Sequence, residues 1–315
     1  MAPRVHTLAL PNPLFEGSIN AYLIEAAPLT LIDSGIGTRT CFAALEEALS
    51  RLGHAVEDIE QIVLTHKHAD HIGLASRIVE RSGARVYIHA DDLDGLIQLD
   101  RRHEEYPALV RGRLAEWGVD QTRADSLTQA LAQGPRFARQ TVATPLQDGD
   151  RLPVGDVDLE VIHTPGHTQG SICLRYGDTL FSGDHVLPGI SPNIGASELR
   201  RSGMLRRYLT ALDRVAALDD GGMTVLPGHG EAFTALAERC RQLAAHHAER
   251  EAKIVTILAE GDPMTVHDVS SRLWRELPGF HLLLGAAEAN AHLEKLAEEG
   301  RATVEANRFK LVSVS

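Results

Sequence analysis

Cysteine is scarce in this chain, and the three that occur are widely spaced. Cys41, Cys173 and Cys240 form no CxxC pair among 315 residues, which argues against a disulfide framework and favours a reducing compartment. Long apolar runs are also lacking: no segment approaches the roughly 18 residues of a membrane span, and the first residues have no apolar core typical of a signal peptide. These absences predict a cytoplasmic protein with no membrane partner.

Basic residues are outnumbered as well. The chain has 31 Lys and Arg against 43 Asp and Glu, a formal net charge of -12, which disfavours a protein built to coat nucleic acid or an anionic membrane. Histidine, by contrast, occurs 16 times. Because imidazole is the commonest metal ligand in proteins, the spacing of these histidines decides what they do.

Short apolar runs alternate with helical periodicity along most of the chain, which predicts an α/β fold. The predicted strands are 20–24, 29–33, 61–65, 85–89, 156–162, 171–181 with a turn at 176–179, and 223–226. The predicted helices are 40–52, 72–81 and 204–218, and 91–143 is a polar, arginine-rich helical stretch.

The last part of the chain follows a different pattern. Helices are predicted at 233–260, 266–277 and 286–299, followed by a hairpin over 301–312. Three helices and a hairpin in this order are typical of a winged-helix module. We therefore predict two domains, a main domain over 1–245 and a winged-helix-like domain over 246–315.

A histidine-rich segment, HKHADH at 66–71, directly follows a predicted strand. Side chains alternate in extended backbone, so His66 and His68 project to the same side while Lys67 faces away. Asp70 and the last histidine lie where the chain turns into a helix. Four nitrogen and oxygen donors in six residues suit two adjacent metal ions, whereas the alternative is a solvated histidine-rich turn.

Three later segments repeat this pattern, in which a β-like run delivers polar side chains into a turn rich in glycine or proline. They carry His163 with His167, then Asp184 with His185, and finally His229. Gly and Pro allow the backbone to approach a crowded centre closely. Four such segments in this order predict one shared metal site.

The order of these residues resembles the metallo-β-lactamase superfamily, marked by H-x-H-x-D-H, an isolated His, an Asp and a final His. The resemblance covers about residues 5 to 245 and implies an αββα sandwich with the site at one edge. The positions matching the motif are His66, His68, Asp70, His71, His167, Asp184 and His229. The resemblance implies one metal ion held by His66, His68 and His167, and a second held by Asp70, His71 and His229, with Asp184 bridging both.

The donor types predict the cofactor and the chemistry. Imidazole and carboxylate suit Zn²⁺ and also Mn²⁺ or Fe, so ligand type alone does not choose among them, and two Zn²⁺ ions are the prediction. Two ions about 3.5 to 4 Å apart share a water and lower its pKa towards about 7, so that hydroxide attacks a carbonyl or phosphoryl centre. Asp70 would orient this nucleophile as well as ligate. The expected protein is therefore a metal-dependent hydrolase.

Several features narrow the substrate. The best-known true β-lactamases of the superfamily work outside the cytoplasm and have cysteine where this chain has Asp184, which argues against that activity. An aspartate at this position resembles the one in glyoxalase-II-like thioesterases and in the phosphodiesterase branches of the superfamily. The C-terminal tail, residues 246–315, resembles the corresponding module of the lactamase-B-like-2 group. We predict hydrolysis of a small-molecule thioester or ester such as an acyl-CoA, with the arginines of 101–139 meeting its anionic group. For those arginines, a solvated helical face is the alternative.

Two other functions stay open. The first is an endoribonuclease or phosphodiesterase of the lactamase-B-like-2 type, which the charge of the tail disfavours. Residues 246–315 carry eleven Asp and Glu against eight Lys and Arg, and helix 286–299 has four Glu against one Lys. The tail is instead interpreted as a packing, pocket-closing or dimerising module, with a homodimer as one outcome. The second is a non-enzymatic, metal-bound sensor or binding module.

Five residues near the motif are candidates for supporting or substrate-contacting roles. His185 follows the bridging aspartate and is predicted either to act on a substrate oxygen or to support the metal site. His163 is predicted to support its loop, and the resemblance implies that Asp33 contacts a metal ligand. Tyr208 is interpreted as a core tyrosine, with substrate contact as the alternative, and Asn193 is predicted to shape the pocket rim.

Overall fold

The computed structural model describes residues 4–13 and 17–312. The chain separates into two compact units, each built from several segments. The first unit comprises Met1–Asp100, Pro135–Pro192 and Ala211–Cys240, and the second comprises Arg101–Gly134, Asn193–Thr210 and Arg241–Ser315. The predicted boundary after residue 245 falls inside helix α8 (Leu236–Leu258), and the division into domains 1–245 and 246–315 stays a prediction.

The first unit contains a six-stranded mixed sheet in the described part of the chain. Its strands lie side by side in chain order, with antiparallel pairing from β1 to β3 and parallel pairing from β3 to β6. The strands are β1 (Arg4–Pro11), β2 (Ser18–Glu25), β3 (Thr30–Ile32), β4 (Gln61–Val63), β5 (Arg85–His89) and β6 (Thr144–Leu146).

A second mixed sheet belongs to the same unit. Its order is β11-β10-β9-β8-β7, antiparallel except for the parallel pair β10 and β11. The strands are β7 (Arg151–Val154), β8 (Val157–His163), β9 (Ile172–Tyr176), β10 (Thr179–Gly183) and β11 (Thr224–Pro227). The predicted turn between β9 and β10 is confirmed.

The two sheets pack face to face, and the alternation of side chains along β2 and β3 shows how. Ile24 and Ile32 belong to the apolar layer between the sheets, together with Phe181 of the second sheet. Leu23 and Leu31 point the opposite way, into a core with helices α1 (Arg39–Arg51) and α3 (Ala75–Ser82). The predicted α/β sandwich is confirmed.

The remaining helices are short near the first sheet and longer elsewhere. They are α2 (Ala69–Ile72), α4 (Asp94–Ile97), α5 (Leu99–Glu116), α6 (Gln121–Gln133), α7 (Met204–Ala216), α9 (Val266–Trp274) and α10 (Phe280–Glu298). Among the described residues, none of the helices combines the length and the apolar character required to cross a membrane.

The second unit has its own apolar core, formed by the helical segments with hairpin β12 (Ala302–Glu305) and β13 (Arg308–Leu311). The order α8, α9, α10 and hairpin agrees with the predicted order, and the winged-helix assignment stays a prediction. Helix α10 begins at Phe280, six residues before the predicted start at 286. Its Gly285 packs closely, because a Cβ there would lie 2.3 Å from Leu277 Cδ1.

A polar cluster is buried in this second unit around Glu288 of α10. Its Oε2 accepts hydrogen bonds from the Ile194 backbone N–H at 2.9 Å and from Asn193 Nδ2 at 3.3 Å. Its Oε1 pairs with Arg250 Nη1 at 2.5 Å and lies 3.6 Å from His247 Nδ1. His292 Nε2 is 3.7 Å from the same Oε1. The carboxylate therefore ties α8 and α10 to the segment after Pro192.

This cluster makes the stability of the protein sensitive to acid. Burial, with Arg250 nearby, lowers the pKa of His247 to about 4, so its imidazole is neutral in the folded protein. Burial alone would raise the pKa of Glu288, but the hydrogen bond with His292 and the charges around it lower the pKa to about 2. The pKa values of His247 and Glu288 are lower in the folded protein than in the unfolded chain. The contribution of each group to the free energy of unfolding is therefore complete at high pH and is lost as the pH falls.

We therefore expect the free energy of unfolding to decline from pH 6.5 to pH 4 as His247 charges on unfolding, and to decline further below pH 4.5 through Glu288. Urea unfolding between pH 8 and pH 4 measures this. The variant His247→Phe should have a shallower decline between pH 6.5 and 4, by roughly 2 kcal/mol over the interval. Exposed His281→Gln is the control, and equal slopes in all three proteins would contradict the assignment.

Candidate metal centre

Three imidazoles converge at the edge where β4 and β8 end. His66 and His68 come from the loop after β4, and His167 comes from the loop after β8. His68 Nδ1 lies 2.9 Å from His66 Nε2 and 2.9 Å from His167 Nε2. Three ring nitrogens converging in this way form a nitrogen ligand set of the kind that binds a divalent ion.

A second group of donors lies beside the first. His71 Nε2 is 3.4 Å from Asp184 Oδ1, and His229 Nε2 is 3.4 Å from Asp70 Oδ2. The other oxygen of the aspartate, Asp184 Oδ2, lies 3.6 Å from both His229 Nε2 and His167 Nε2. The Asp184 carboxylate is therefore placed between the two groups, with an oxygen within reach of each.

The local backbone explains how the loops meet. The carboxyl end of β4 is tied to the second sheet, because the Ile172 N–H donates to Thr65 O at 2.9 Å. The Asn20 N–H donates to Gly228 O at 2.8 Å, which ties β2 to the loop that carries His229. At Gly228 a Cβ would lie 2.3 Å from Asp184 Oδ1 and 2.8 Å from His71 Cε1, so only glycine fits at that position.

Two buried atoms of this centre support a fit to metal ions. Within residues 4–13 and 17–312, His71 Nε2 and Asp184 Oδ1 have no hydrogen-bond partner. Buried polar atoms normally have one, and an unsatisfied atom costs about 1 to 3 kcal/mol. These atoms point at each other from 3.4 Å, a separation that suits two ligands of one ion. The residues present therefore fit divalent metal ions.

The charge states of His66, His68 and Asp184 are those that metal binding requires. Burial holds the pKa of His66 well below its usual value and lowers the pKa of His68 to about 3, so both rings are neutral. Burial would raise the pKa of Asp184, but the charges of His71 and His229 lower it further, so its pKa lies well below the usual value. His66, His68 and the ionised carboxylate need release no proton to bind a cation, whereas the nearby Asp184 raises the pKa values of His71 and His229 despite their burial, so a cation there displaces their protons.

Comparison with known proteins agrees with this geometry. The family model described as the metallo-beta-lactamase superfamily matches residues 14–229. The chain belongs to this superfamily. A crystal structure of a metallo-beta-lactamase family protein from Thermus thermophilus, TTHA1429, is 29% identical, with a TM-score of 0.83 and 98% of each chain covered.

Two curated relatives cover much of the chain. The probable metallo-hydrolase YqjP of Bacillus subtilis (strain 168) is 28% identical over 304 residues, which is 94% of this chain and 92% of the relative. A human protein named acyl-coenzyme A thioesterase MBLAC2 is 32% identical over 252 residues, 73% of this chain and 79% of the relative. The chain is thus a member of a metallo-hydrolase superfamily, and its clustered His and Asp side chains fit a divalent metal site.

Asp33 lies behind this site and contacts His71, and its supporting role stays a prediction. Its Oδ2 is 2.8 Å from His71 Nδ1, and its Oδ1 accepts the Thr65 N–H at 2.7 Å. The residue adopts a positive φ of 55°, which turns the chain after β3 towards these partners. A carboxylate on the far nitrogen of His71 fixes the ring so that Nε2 faces Asp184.

Asp92 and Lys67 form a support that the sequence patterns do not predict. Asp92 Oδ1 lies 3.2 Å from Lys67 Nζ and accepts the Gly170 N–H at 3.0 Å. Its Oδ2 accepts Thr168 Oγ1–H at 2.6 Å and the Lys67 N–H at 3.1 Å. One fully buried carboxylate therefore fastens the loop of His66 and His68 to the loop of His167. The sequence offered one signal for Asp92: it lies shortly after the end of a parallel strand, as Asp33 and His66 do.

The other predicted neighbours occupy definite positions, and their roles stay predictions. His163 Nε2 contacts Gln169 O at 2.9 Å within its own loop, and the ring stacks on His89 at 3.9 Å. His185 is buried and bonds to the backbone of Ala211, and burial lowers its pKa to about 3, so it is a neutral imidazole.

Asn193 and Tyr208 lie in the second unit. Asn193 Nδ2 donates to Leu284 O at 3.0 Å and also contacts Glu288, so its amide is engaged with α10. Tyr208 is fully buried with its ring centroid 5.4 Å from that of His247, which matches a core position. Contact of either residue with substrate stays a prediction.

The predicted arginine-rich stretch proves to be mostly surface ion pairs. Arg111 Nε lies 2.6 Å from Asp125 Oδ1, and Arg113 Nη1 lies 2.7 Å from Glu116 Oε2. Arg111 and Arg113 are therefore solvated, ion-paired residues on a helical face, which was the alternative to substrate contact.

The close packing at Gly228 gives a direct test of the site. The variant Gly228→Ala should lower divalent metal affinity about 10- to 100-fold, because its Cβ displaces Asp184 or His71. A calorimetric titration of each metal-depleted variant with the divalent metal measures the change in affinity. Gly189→Ala is the matched control, since a Cβ there meets no atom of the described residues within 4 Å. Equal affinities in the two variants would contradict the assigned geometry.

Proposed function

We propose that this protein is a dinuclear, metal-dependent hydrolase of thioester or ester bonds in small molecules of the acyl-CoA type. One observation carries the proposal: the Asp184 carboxylate lies between two groups of His and Asp donors, with Oδ2 near His167 of one group and both oxygens near His71 and His229 of the other. Zn²⁺ is the proposed ion, because neutral imidazoles and carboxylates suit it, with Mn²⁺ or Fe as alternatives.

The proposed ligand sets follow from the two groups. His66, His68 and His167 would hold one ion. Asp70, His71 and His229 would hold the other, and Asp184 would bridge. When bound, the ions supply a hydroxide nucleophile at neutral pH and polarise the substrate carbonyl.

The residues of this chain orient that chemistry. Asp70 is kept anionic because the charge of His71 and the hydrogen bond with His229 outweigh its burial and lower its pKa to about 2. Asn12 Nδ2 donates to Asp70 Oδ2 at 3.0 Å and holds the carboxylate in place to orient the attacking water. Asp33 fixes His71, while His229 Nδ1 contacts Ser18 O at 3.1 Å. These contacts hold the ligands ready before substrate binds.

Support for a thioester substrate comes from the human relative named for acyl-coenzyme A thioesterase activity. Its aligned 252 residues cover 79% of that protein. Ionised Asp184, in place of the cysteine expected of the best-known true β-lactamases, also favours this branch of the superfamily.

A substrate panel tests the proposal. Metal-loaded protein is assayed with acyl-CoA and glutathione thioesters, a lactone, bis-p-nitrophenyl phosphate, single-stranded RNA and a β-lactam. Thioester hydrolysis should exceed phosphodiester hydrolysis in kcat/KM by at least about 100-fold, which is about 2.7 kcal/mol of differential transition-state stabilisation. Preferred cleavage of RNA or bis-p-nitrophenyl phosphate would overturn the substrate class, and no turnover of any compound would favour a sensor.

A further inference from the structure

A cavity of about 350 Å³ lies in the first unit, outside the metal centre. It is formed where α1 and α3 begin and where the segment 136–139 passes them, and the Gly37 N–H donates to Phe137 O at 2.8 Å to join these parts. The volume is within the range of small-molecule sites, about 300 to 1,000 Å³. No catalytic step proposed above uses it.

The cavity is basic in a strongly acidic protein. Arg39, Arg77, Arg136 and Arg139 line it with one acidic residue, Glu80, although the chain has a formal net charge of -12. A concave surface lined by one sign of charge concentrates ligands of the opposite sign. The lining therefore selects an anion.

The arginines divide into two kinds. Arg139 Nη2 pairs with Glu80 at 2.7 Å, and Arg136 Nη1 pairs with Asp100 at 3.1 Å, so acidic side chains partly neutralise them. Within the described ranges of the chain, Arg39 and Arg77 form no ion pair. The guanidinium carbon of Arg77 lies 3.6 Å from the centroid of the Phe42 ring, which holds the group flat and leaves its N–H donors at the edge.

Two further observations point to a ligand with several acceptor oxygens. Ser76 is 6% exposed, and its Oγ has no hydrogen-bond partner in the part of the chain that the structure describes. Helix α3 begins beside it with Leu74 as N-cap, which offers no side-chain acceptor to the first-turn N–H groups. Oxyanions bind at helix N-termini flanked by guanidinium groups because both donate to the same oxygens.

We propose that this cavity binds the phosphate or diphosphate group of a small molecule, with Arg39 and Arg77 as the principal donors. Phosphate oxygens match the planar fork of a guanidinium, and a diphosphate is large enough to reach both side chains. The group has two sources: a free nucleotide or diphosphate acting on the enzyme, or the nucleotide end of an acyl-CoA substrate. The second source rests on the proposed function. It is sterically reasonable because Gly73 of the lining lies two residues after His71, about 8 Å at most between Cα atoms.

Calorimetric titration of the metal-loaded protein with ADP and with inorganic diphosphate tests the proposal. The double variant Arg39→Ala/Arg77→Ala should weaken both affinities at least about tenfold, because two charge-assisted hydrogen-bond donors are lost. Arg85→Ala, an exposed arginine outside the lining, removes the same kind of charge and should bind as the parent protein does. Equal affinity in the double variant and the parent, or no binding of either probe, would overturn the proposal.

A milder variant protects the test against misfolding. Arg39→Gln changes one exposed side chain and should weaken ADP binding about threefold or more, and ADP should raise the melting temperature of the parent more than that of Arg39→Gln. If ADP raises the melting temperature of the parent and of Arg39→Gln equally, that result would contradict the site, as equal affinities in the titration would.

Kinetics with two thioesters distinguish the sources of the phosphate group. If the cavity takes the nucleotide end of the substrate, the double variant raises KM for acyl-CoA and leaves KM for acyl-pantetheine unchanged. If the ligand is a free nucleotide, ADP binds the parent tightly and KM for both thioesters is unchanged by the substitutions. ADP binding that depends on the two arginines supports the cavity even when neither thioester is hydrolysed, so failure of the proposed function would be recognised separately.

Discussion

Replacing Asp184 with alanine should remove metal and turnover together. The carboxylate has one oxygen 3.4 Å from His71 Nε2 and the other 3.6 Å from His167 and His229, so its loss takes a ligand from both groups. The variant should fall from about two bound ions per chain to a small fraction of one, because a bridging carboxylate also offsets the repulsion between two cations. Elemental analysis of the purified variant, with thioester turnover on the same sample, measures both.

Two companion variants sharpen that result. His68→Ala removes the nitrogen that lies 2.9 Å from both His66 and His167, and it should also abolish metal content and turnover. Asp178→Ala changes an exposed aspartate in the turn between β9 and β10, and it should retain both. An Asp184→Ala protein that stays active without metal would refute the metal centre as the origin of activity.

The second large effect is expected at Asp92, which contacts no metal ligand directly. Asp92→Ala removes the fully buried carboxylate that lies 3.2 Å from the Lys67 ammonium, whose side chain is 6% exposed. Breaking one partner of a buried ion pair costs about 3 to 5 kcal/mol. The loops of His66 and of His167 also lose their shared fastening at Thr168 and Gly170, so metal affinity should fall about 10- to 100-fold.

Urea unfolding of the metal-free protein and metal titration separate these two losses. Asp94→Ala is the matched control, because Asp94 is an exposed aspartate two residues further along the chain. A stability equal to that of the control would show that Asp92 does not carry the buried pair. Unchanged metal affinity in a destabilised Asp92→Ala protein would show that Asp92 stabilises the fold but does not support metal binding.

The metal-binding motif could be predicted from sequence because its information is local. The alternation that puts His66 and His68 on one side needs only an extended segment, and glycine-rich turns after β10 and β11 identify Asp184 and His229 as loop residues. The alternation of strands and helices predicted the α/β class, while the sandwich was implied by the family resemblance. The structure shows the local basis of the sandwich, since Leu23 and Ile24 alternate between two cores as a period of two requires.

The supports of the site were not predictable in this way. Asp92 acts on Lys67 from 25 positions away and on Thr168 from 76 positions away, and no spacing rule connects such residues. Strand β6, which pairs with β5, was missed. Strands β1 and β7 were also missed, because their side chains are largely exposed or half-buried and produce little apolar contrast. Tertiary pairing with β2 and β8 forms these strands more than local propensity does.

Glu288 shows how tertiary contacts change the meaning of a charge. In the sequence it counts among four glutamates of one helix that would repel phosphates. In the structure it is 3% exposed and paired with Arg250, so it adds little to the surface charge of α10. For α10, the expectation that residues 246–315 avoid nucleic acid therefore rests on Glu294, Glu298 and the following Glu299, and it stays a prediction.

The measurement that tests the account most directly is a titration of metal-depleted protein with Zn²⁺, followed by bound metal and by hydrolysis of one acyl-CoA thioester on the same samples. The account predicts saturation at about two ions per chain and thioester turnover that appears as the second equivalent binds. Full turnover with one ion or none, or two bound ions without hydrolysis of any thioester or ester, would contradict it.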